Sequence, residues 1–110
     1  MKYLILLSLF LVSFSARAEA NIPRGWIVEE VSINDIHEHF YSFCLTLKER
    51  GIGDNCVKDT ENPFQNELVN GYKVYSFNSP EEYWQGLAGR RGFVLEINNQ
   101  LIESIVTGEN

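Results

Sequence analysis

The chain has 110 residues, of which nine are basic and fifteen are acidic, giving a formal net charge of −6. A negative surface repels phosphate backbones and anionic lipid headgroups, so binding to nucleic acid or to a membrane surface is not expected. A basic partner protein would be attracted, although acidity also serves simply to keep a small protein soluble.

The first twenty residues have the layout of a cleavable secretory signal peptide. Lys2 precedes an apolar run from Tyr3 to Phe14, and small residues follow, so cleavage is expected after Ala18 or Ala20. The alternative is a membrane anchor, but an anchor needs about 20 apolar residues to span a bilayer. The mature protein, residues 21–110, is therefore expected to be a single domain that is periplasmic or secreted and does not insert into a membrane.

The first mature elements are predicted to be a strand and a long helix. Residues 26–31 are rich in β-branched and aromatic side chains, which indicates a strand. Ser32 and Asp35 form a capping-box pattern, and Gly51 suits a helix end, so a helix is predicted over 33–50. Apolar residues follow the spacing of an amphipathic helix at Ile33, Ile36, Phe40, Phe43, Cys44 and Leu47.

Residues 51–70 lack periodicity and contain glycine, proline and many polar side chains, which predicts a long loop with an optional helical turn at 64–69. A strand is predicted at 72–77, followed by a helix that begins with Ser79 as its cap and ends at Gly89. Two final strands, 93–97 and 100–106, are predicted to form a hairpin, because asparagines 98 and 99 tolerate the left-handed conformation of a tight turn.

This order of elements predicts an α+β fold: a small, mostly antiparallel sheet of about four strands, with two helices packed on one face and one disulfide. A split arrangement with one parallel strand pair is the alternative. Alternation along the final hairpin predicts a core face with Phe93, Leu95, Ile97, Ile102 and Val106. The opposite face then carries Val94, Glu96, Leu101 and Glu103.

Cys44 and Cys56 are the only cysteines. In an oxidising compartment, an even pair in a small domain predicts a disulfide, here one that closes a short loop. A redox or metal-binding role is the alternative, but active redox cysteines usually lie two residues apart at a helix start.

Two histidines, His37 and His39, flank Glu38 in the predicted helix. Because a helix turns about 100° per residue, the two rings leave opposite flanks of the apolar stripe. Histidines that bind one zinc ion from one helix are four residues apart, whereas this spacing would suit an ion only on a strand. We therefore expect no metal site, with His37 and His39 as weak candidates.

The glycine-rich segment around Arg90 and Arg91 lacks the lysine and hydroxyl of a phosphate loop and is predicted to be a basic turn. Alternatively, the arginines hold a carboxylate of a partner in bidentate fashion. Polar loop residues and exposed aromatics complete the candidate binding set: Asp54, Asn55, Asp59, Glu61, Phe64, Tyr83, Trp84, Arg90 and Arg91.

These features predict a small secreted or periplasmic acidic binding protein that occupies a partner protein, as inhibitor, immunity and exclusion proteins do. One alternative is an accessory subunit of an envelope or secretion assembly, and another is a small metal-dependent hydrolase. No Ser-His-Asp arrangement or cofactor motif is evident in the sequence, so neither an enzyme nor a bound cofactor is expected.

Overall fold

The computed structural model describes residues 20–53 and 55–110. The elements are a 3-10 turn, four strands and two helices, in the order Arg24–Trp26, β1 (Ile27–Val31), α1 (Ile33–Glu49), β2 (Lys73–Asn78), α2 (Glu81–Gln85), β3 (Arg90–Ile97) and β4 (Gln100–Glu109). The strands form one antiparallel sheet in the order β1-β2-β3-β4. The predicted α+β fold is confirmed. The predicted signal peptide lies outside the described residues, apart from Ala20.

Two local features form as the sequence predicts. The Ser32 side chain accepts a hydrogen bond from the Asp35 backbone N–H at 3.1 Å, and the Asp35 carboxylate accepts one from the Ser32 N–H at 2.8 Å. This reciprocal capping box satisfies two backbone donors at the start of α1. Asn98 and Asn99 have φ angles of 53° and 63°, so the hairpin between β3 and β4 closes through the predicted left-handed turn.

One face of the sheet packs against α1 and the segment that follows it. Its core is made by Ile36, Phe64, Val74, Phe93, Leu95 and Ile97. The apolar stripe of α1 is only partly covered: Ile36 is fully buried, whereas Phe40 and Phe43 are 41% and 58% exposed. The described residues therefore leave these two rings in contact with solvent.

The opposite face of the sheet is also covered, which the sequence analysis did not predict. Its core consists of Ile22, Trp26, Phe77, Val94 and Leu101. The covering segment is held at its start by a hydrogen bond from the Ala20 N–H to the Leu101 carbonyl at 2.7 Å. Farther along, Arg24 donates to the buried carboxylate of Glu96 at 2.7 Å and to the Asn99 carbonyl. The sheet is thus the middle layer of the molecule.

A β-bulge changes the predicted faces of β4. Glu103 lies opposite Leu95, but Leu101 lies opposite Glu96, so one extra residue is accommodated between the two pairs. Beyond the bulge, Ile105 packs against the core, while Val106 is 41% exposed. The prediction of Val106 as a core residue was wrong because one inserted residue exchanges the faces of the residues that follow it, up to a second irregularity just after Val106.

Helix α2 is shorter than predicted and begins differently. The buried Ser79 hydroxyl accepts a hydrogen bond from the Arg90 N–H at 2.9 Å and does not cap α2. Leu87 has a φ of 59°, which is incompatible with a helix continuing to Gly89. Ser79 therefore ties β2 to the start of β3.

The five residues of α2 lie at one end of the sheet. In this detail the structure differs from the predicted arrangement, in which the two helices pack on one face. The Tyr83 ring meets Trp26 edge-on at a centroid distance of 5.2 Å, towards the face that residues 20–26 cover. The Trp84 indole N–H donates to the Asn78 side chain at 2.8 Å. None of the helices formed by the described residues is both long and apolar enough to cross a membrane.

Replacing Arg24 tests the contribution of the covering segment to stability. Arg24→Ala leaves the buried Glu96 carboxylate without its ion pair, and we expect the free energy of unfolding to fall by about 2 kcal/mol. Urea denaturation measures the change. Arg24→Ala combined with Glu96→Gln should recover part of the loss because the uncompensated charge is gone, and Arg50→Ala provides an exposed arginine control. Unchanged stability of Arg24→Ala would contradict the assigned contact.

Candidate functional site

Helix α1 separates two concave regions of the surface. On one flank, between α1 and β1, lies a cleft of about 500 Å³, which we call the acidic cleft; the residues that line it include Glu29, Glu30, Asp35, Glu38 and His39. On the other flank, between α1 and residues 56–63, lies a cavity of about 270 Å³, which we call the His37 cavity; its lining includes His37, Phe40, Tyr41, Val57 and Asp59.

The acidic cleft brings together carboxylates from β1 and from the first turns of α1. Asp35 is engaged in the capping box, and Glu38 forms an ion pair with Lys58. The side chains of Glu29 and Glu30 are exposed and have no hydrogen bond or ion pair within residues 20–53 and 55–110. Glu29 is directed to the α1 face of the sheet, whereas Glu30, which pairs with Tyr75, is directed to the other face at the same open edge. These two carboxylates therefore remain available to a cation from outside the molecule.

The cleft also borders an open edge of the sheet. Strand β1 pairs with β2 on one side and has no other strand partner in the described part of the chain. Its pairing is irregular between Ile27 and Glu29, where a bulge interrupts the ladder. Unpaired backbone groups at such an edge can hydrogen-bond to an added strand, and charged residues there limit pairing with unintended partners.

The two histidines belong to different concave regions. His39 lies in the acidic cleft, where its ring packs edge-on against Phe40 and Phe93, each at a centroid distance of 5.6 Å. His37 lies in the cavity on the opposite flank of α1. The helical geometry therefore prevents them from binding one ion together. The described residues contain no group of three or more side chains suited to a metal ion.

Among the residues that line the His37 cavity, His37 itself is both polar and buried. The residue is only 6% exposed, and none of residues 20–53 and 55–110 forms a hydrogen bond with its Nε2. Asp59 lines the same cavity, and its Oδ1 accepts a hydrogen bond from the Glu61 N–H at 2.9 Å. That hydrogen bond is the main cause that lowers the Asp59 pKa below 3.8, and the nearby charge of His37 lowers it further.

The wall of the His37 cavity is fixed to α1 by a covalent bond. The predicted disulfide between Cys44 and Cys56 is present and joins the middle of α1 to the segment that follows it. Farther along, Phe64 is buried in the core, and the Glu103 carboxylate accepts hydrogen bonds from the Gln65 and Asn66 N–H groups at 2.7 and 2.8 Å. The predicted helical turn does not form here, and the irregular backbone is held by these contacts.

The candidate binding residues from the sequence are dispersed in the structure. Phe64 is a core residue, so we remove it from the candidate surface. Arg90 and Arg91 lie in β3, not in a turn; their guanidinium groups stand over the rings of Trp26 and Trp84 at 5.3 and 5.8 Å. These contacts hold the arginines against the protein itself.

The remaining candidates are divided between the loop and α2. Three candidates are exposed on the loop: Asn55, Asp59 and Glu61. Of these, Asp59 lines the His37 cavity. Tyr83 and Trp84 lie in α2, away from both regions, and Asp54 lies outside the described residues.

The acidic cleft was missed because its acids, although close in sequence, belong to two elements, β1 and α1, and come together only when those elements pack. The sequence pattern indicates Asp35 only as a capping residue. A comparison of the chain with protein families, with curated proteins and with solved structures finds no match.

Removing the disulfide should destabilise the fold and release the cavity wall. For a closed loop of this size, the chain-entropy model gives a loss of about 3 kcal/mol. We expect this loss in a Cys44→Ser, Cys56→Ser double variant, measured by urea denaturation. The unreduced and the chemically reduced wild-type protein are the controls. If reduction leaves the unfolding midpoint unchanged, the bond does not stabilise the fold.

The pKa of Asp59 can be measured directly. Since the Glu61 N–H stabilises the ionised carboxylate, a carbon-13 NMR titration should give a pKa below 3.8 in the folded protein. A lowered pKa means that the ionised group stabilises the fold above pH 3.8, and that this contribution is lost as the pH falls through the folded value. A measured pKa at or above 3.8 would show that the turn does not form in solution.

Proposed function

We propose that this protein is a small acidic binding protein that acts by occupying a basic partner protein, in the manner of inhibitor, immunity or exclusion factors. The observation that carries the proposal is the acidic cleft and its open strand edge, where the carboxylates of Glu29 and Glu30 have no partners among the described residues and lie on the two sides of that edge. The proposed role is binding, not catalysis. Among the described residues, no hydrogen bond joins a serine to a histidine as a nucleophile and its base would require.

The chemistry of the cleft favours a lysine-rich or arginine-rich segment. Carboxylates attract and orient cationic side chains, and complementary charge raises the rate of association with the correct partner. The adjacent edge of β1 offers backbone hydrogen bonds to a segment in extended conformation. A volume of about 500 Å³ is within the usual range of about 300–1,000 Å³ for binding pockets.

The proposed location is the periplasm or the extracellular space, after cleavage of the signal peptide. The disulfide supports this location because such bonds persist in oxidising compartments and are rare in the cytosol. A partner would then be a basic protein of the same compartment or one that reaches it from outside.

Charge reversal in the cleft tests the proposed function. The protein, immobilised as bait, is exposed to the envelope fraction and to supernatants of competing strains, and bound proteins are identified by mass spectrometry. We expect a basic partner whose affinity falls at least about tenfold in Glu29→Lys, Glu30→Lys, because attraction becomes repulsion.

The matched control is Glu81→Lys, Glu82→Lys, which makes the same change of net charge on α2, away from the cleft. It should retain the partner. Binding should also weaken as salt rises, since exposed charges are screened. A partner that is lost equally from both variants, or that is indifferent to salt, would contradict a role for the cleft.

A further inference from the structure

The segment that covers the second face of the sheet begins at the end of the predicted signal peptide. Small residues at Ala16, Ala18 and Ala20 form two overlapping cleavage patterns, one with its cut after Ala18 and one with its cut after Ala20. Both patterns satisfy the requirement of a signal peptidase for small residues. The two products differ in the fold, because Ala20 is kept in the first and lost in the second.

Ala20 contributes to the folded domain through its backbone and its side chain. Its N–H donates a hydrogen bond to the Leu101 carbonyl at 2.7 Å, and Leu101 is 5% exposed. Ala20 is half-buried and packs against the core of the second face. Cleavage after Ala20 would remove both contacts and leave the carbonyl of a buried residue without this donor, which costs free energy.

Cleavage after Ala20 would also place a new charge beside an existing one. A free α-amino group is protonated at neutral pH, and Asn21 would carry it. The Asn21 carbonyl already accepts a hydrogen bond from the Arg90 guanidinium at 3.1 Å, so two positive groups would repel each other, although water weakens the repulsion. After cleavage at Ala18, the new charge lies two residues farther away, on Glu19.

The backbone around the second cleavage position is engaged in the folded chain. The Ala20 N–H and the Asn21 carbonyl are hydrogen-bonded to Leu101 and Arg90, and Ile22 is 6% exposed. A protease reaches a peptide bond only where the backbone is exposed and free of such contacts. The Ala20–Asn21 bond therefore resists cleavage once the domain has folded.

We infer that the signal peptide is removed by hydrolysis of the Ala18–Glu19 bond. Water adds across this bond, so Ala18 receives the new carboxylate and Glu19 the new ammonium group. The mature chain then begins at Glu19, two residues before the predicted boundary at position 21, and it keeps the amide of Ala20 intact. This cleavage site rests on the proposed function, which includes export by a signal peptide, and adds the position of the cut.

Mass spectrometry of the exported protein tests the cleavage site directly. The full chain is expressed in a host that exports it, and its intact mass and N-terminal sequence are determined. We expect Glu19 as the first residue. A chain that begins at Asn21 or at any other cleaved position would overturn the inference and leave the proposed export intact. A chain that keeps residues 1–20 would overturn both.

Two matched substitutions test which small residues the peptidase reads. Ala16→Tyr places a large side chain in the first cleavage pattern only, and Ala20→Tyr places it in the second pattern only. We expect Ala16→Tyr to abolish the product that begins at Glu19 and Ala20→Tyr to leave it unchanged. The opposite result, or equal effects of the two substitutions, would overturn the inference.

A comparison of two shortened chains tests the structural reason. One chain begins at Glu19 and the other at Asn21, and each is released from a removable N-terminal fusion that leaves no extra residue. We expect the urea midpoint of the chain that begins at Asn21 to be lower by about 0.5 M, as loss of one hydrogen bond predicts. Equal midpoints would show that Ala20 does not support the fold and would remove the basis of the inference.

Discussion

The covalent bond between Cys44 and Cys56 is the constraint that gives a long irregular segment a defined position. Without regular hydrogen bonding, the residues between α1 and β2 depend on a few attachments, and this bond is the one nearest to α1. The buried Phe64 and the contacts of Glu103 fix the rest. The cavity wall that contains Val57 and Asp59 lies between these attachments, so its shape follows from the bond.

Helix α1 converts sequence spacing into two separate chemical environments. His37 and His39 are two positions apart, and a helix directs residues at that spacing to opposite flanks. One ring therefore faces a largely apolar cavity with a single carboxylate, and the other faces a cleft with several. The buried Ile36 sets the rotation of α1 on the sheet, and it thereby decides which flank receives which histidine.

The features predicted correctly from the sequence depend on neighbouring residues. The capping box of Ser32 and Asp35 and the turn at Asn98 and Asn99 are examples, and the fold class followed from the order of such elements. The errors arose where distant segments meet. Nothing local indicates that residues 20–26 cover the second face, or that a bulge in β4 exposes Val106. The acidic cleft was missed for a different reason: β1 and α1 are consecutive in the chain, but the cleft exists only once they pack together.

The exposed apolar residues of α1 connect the two concave regions. Phe40 lines the His37 cavity, and Phe43 follows it on the same stripe of the helix, yet both rings are substantially exposed. A partner that reaches from the acidic cleft to the cavity must pass over α1 and would cover part of this stripe. Protein interfaces commonly combine an apolar centre with a polar rim, and burial of aromatic rings would add the affinity that exposed charges alone do not provide. The acids would then select the partner, and the stripe would strengthen its binding.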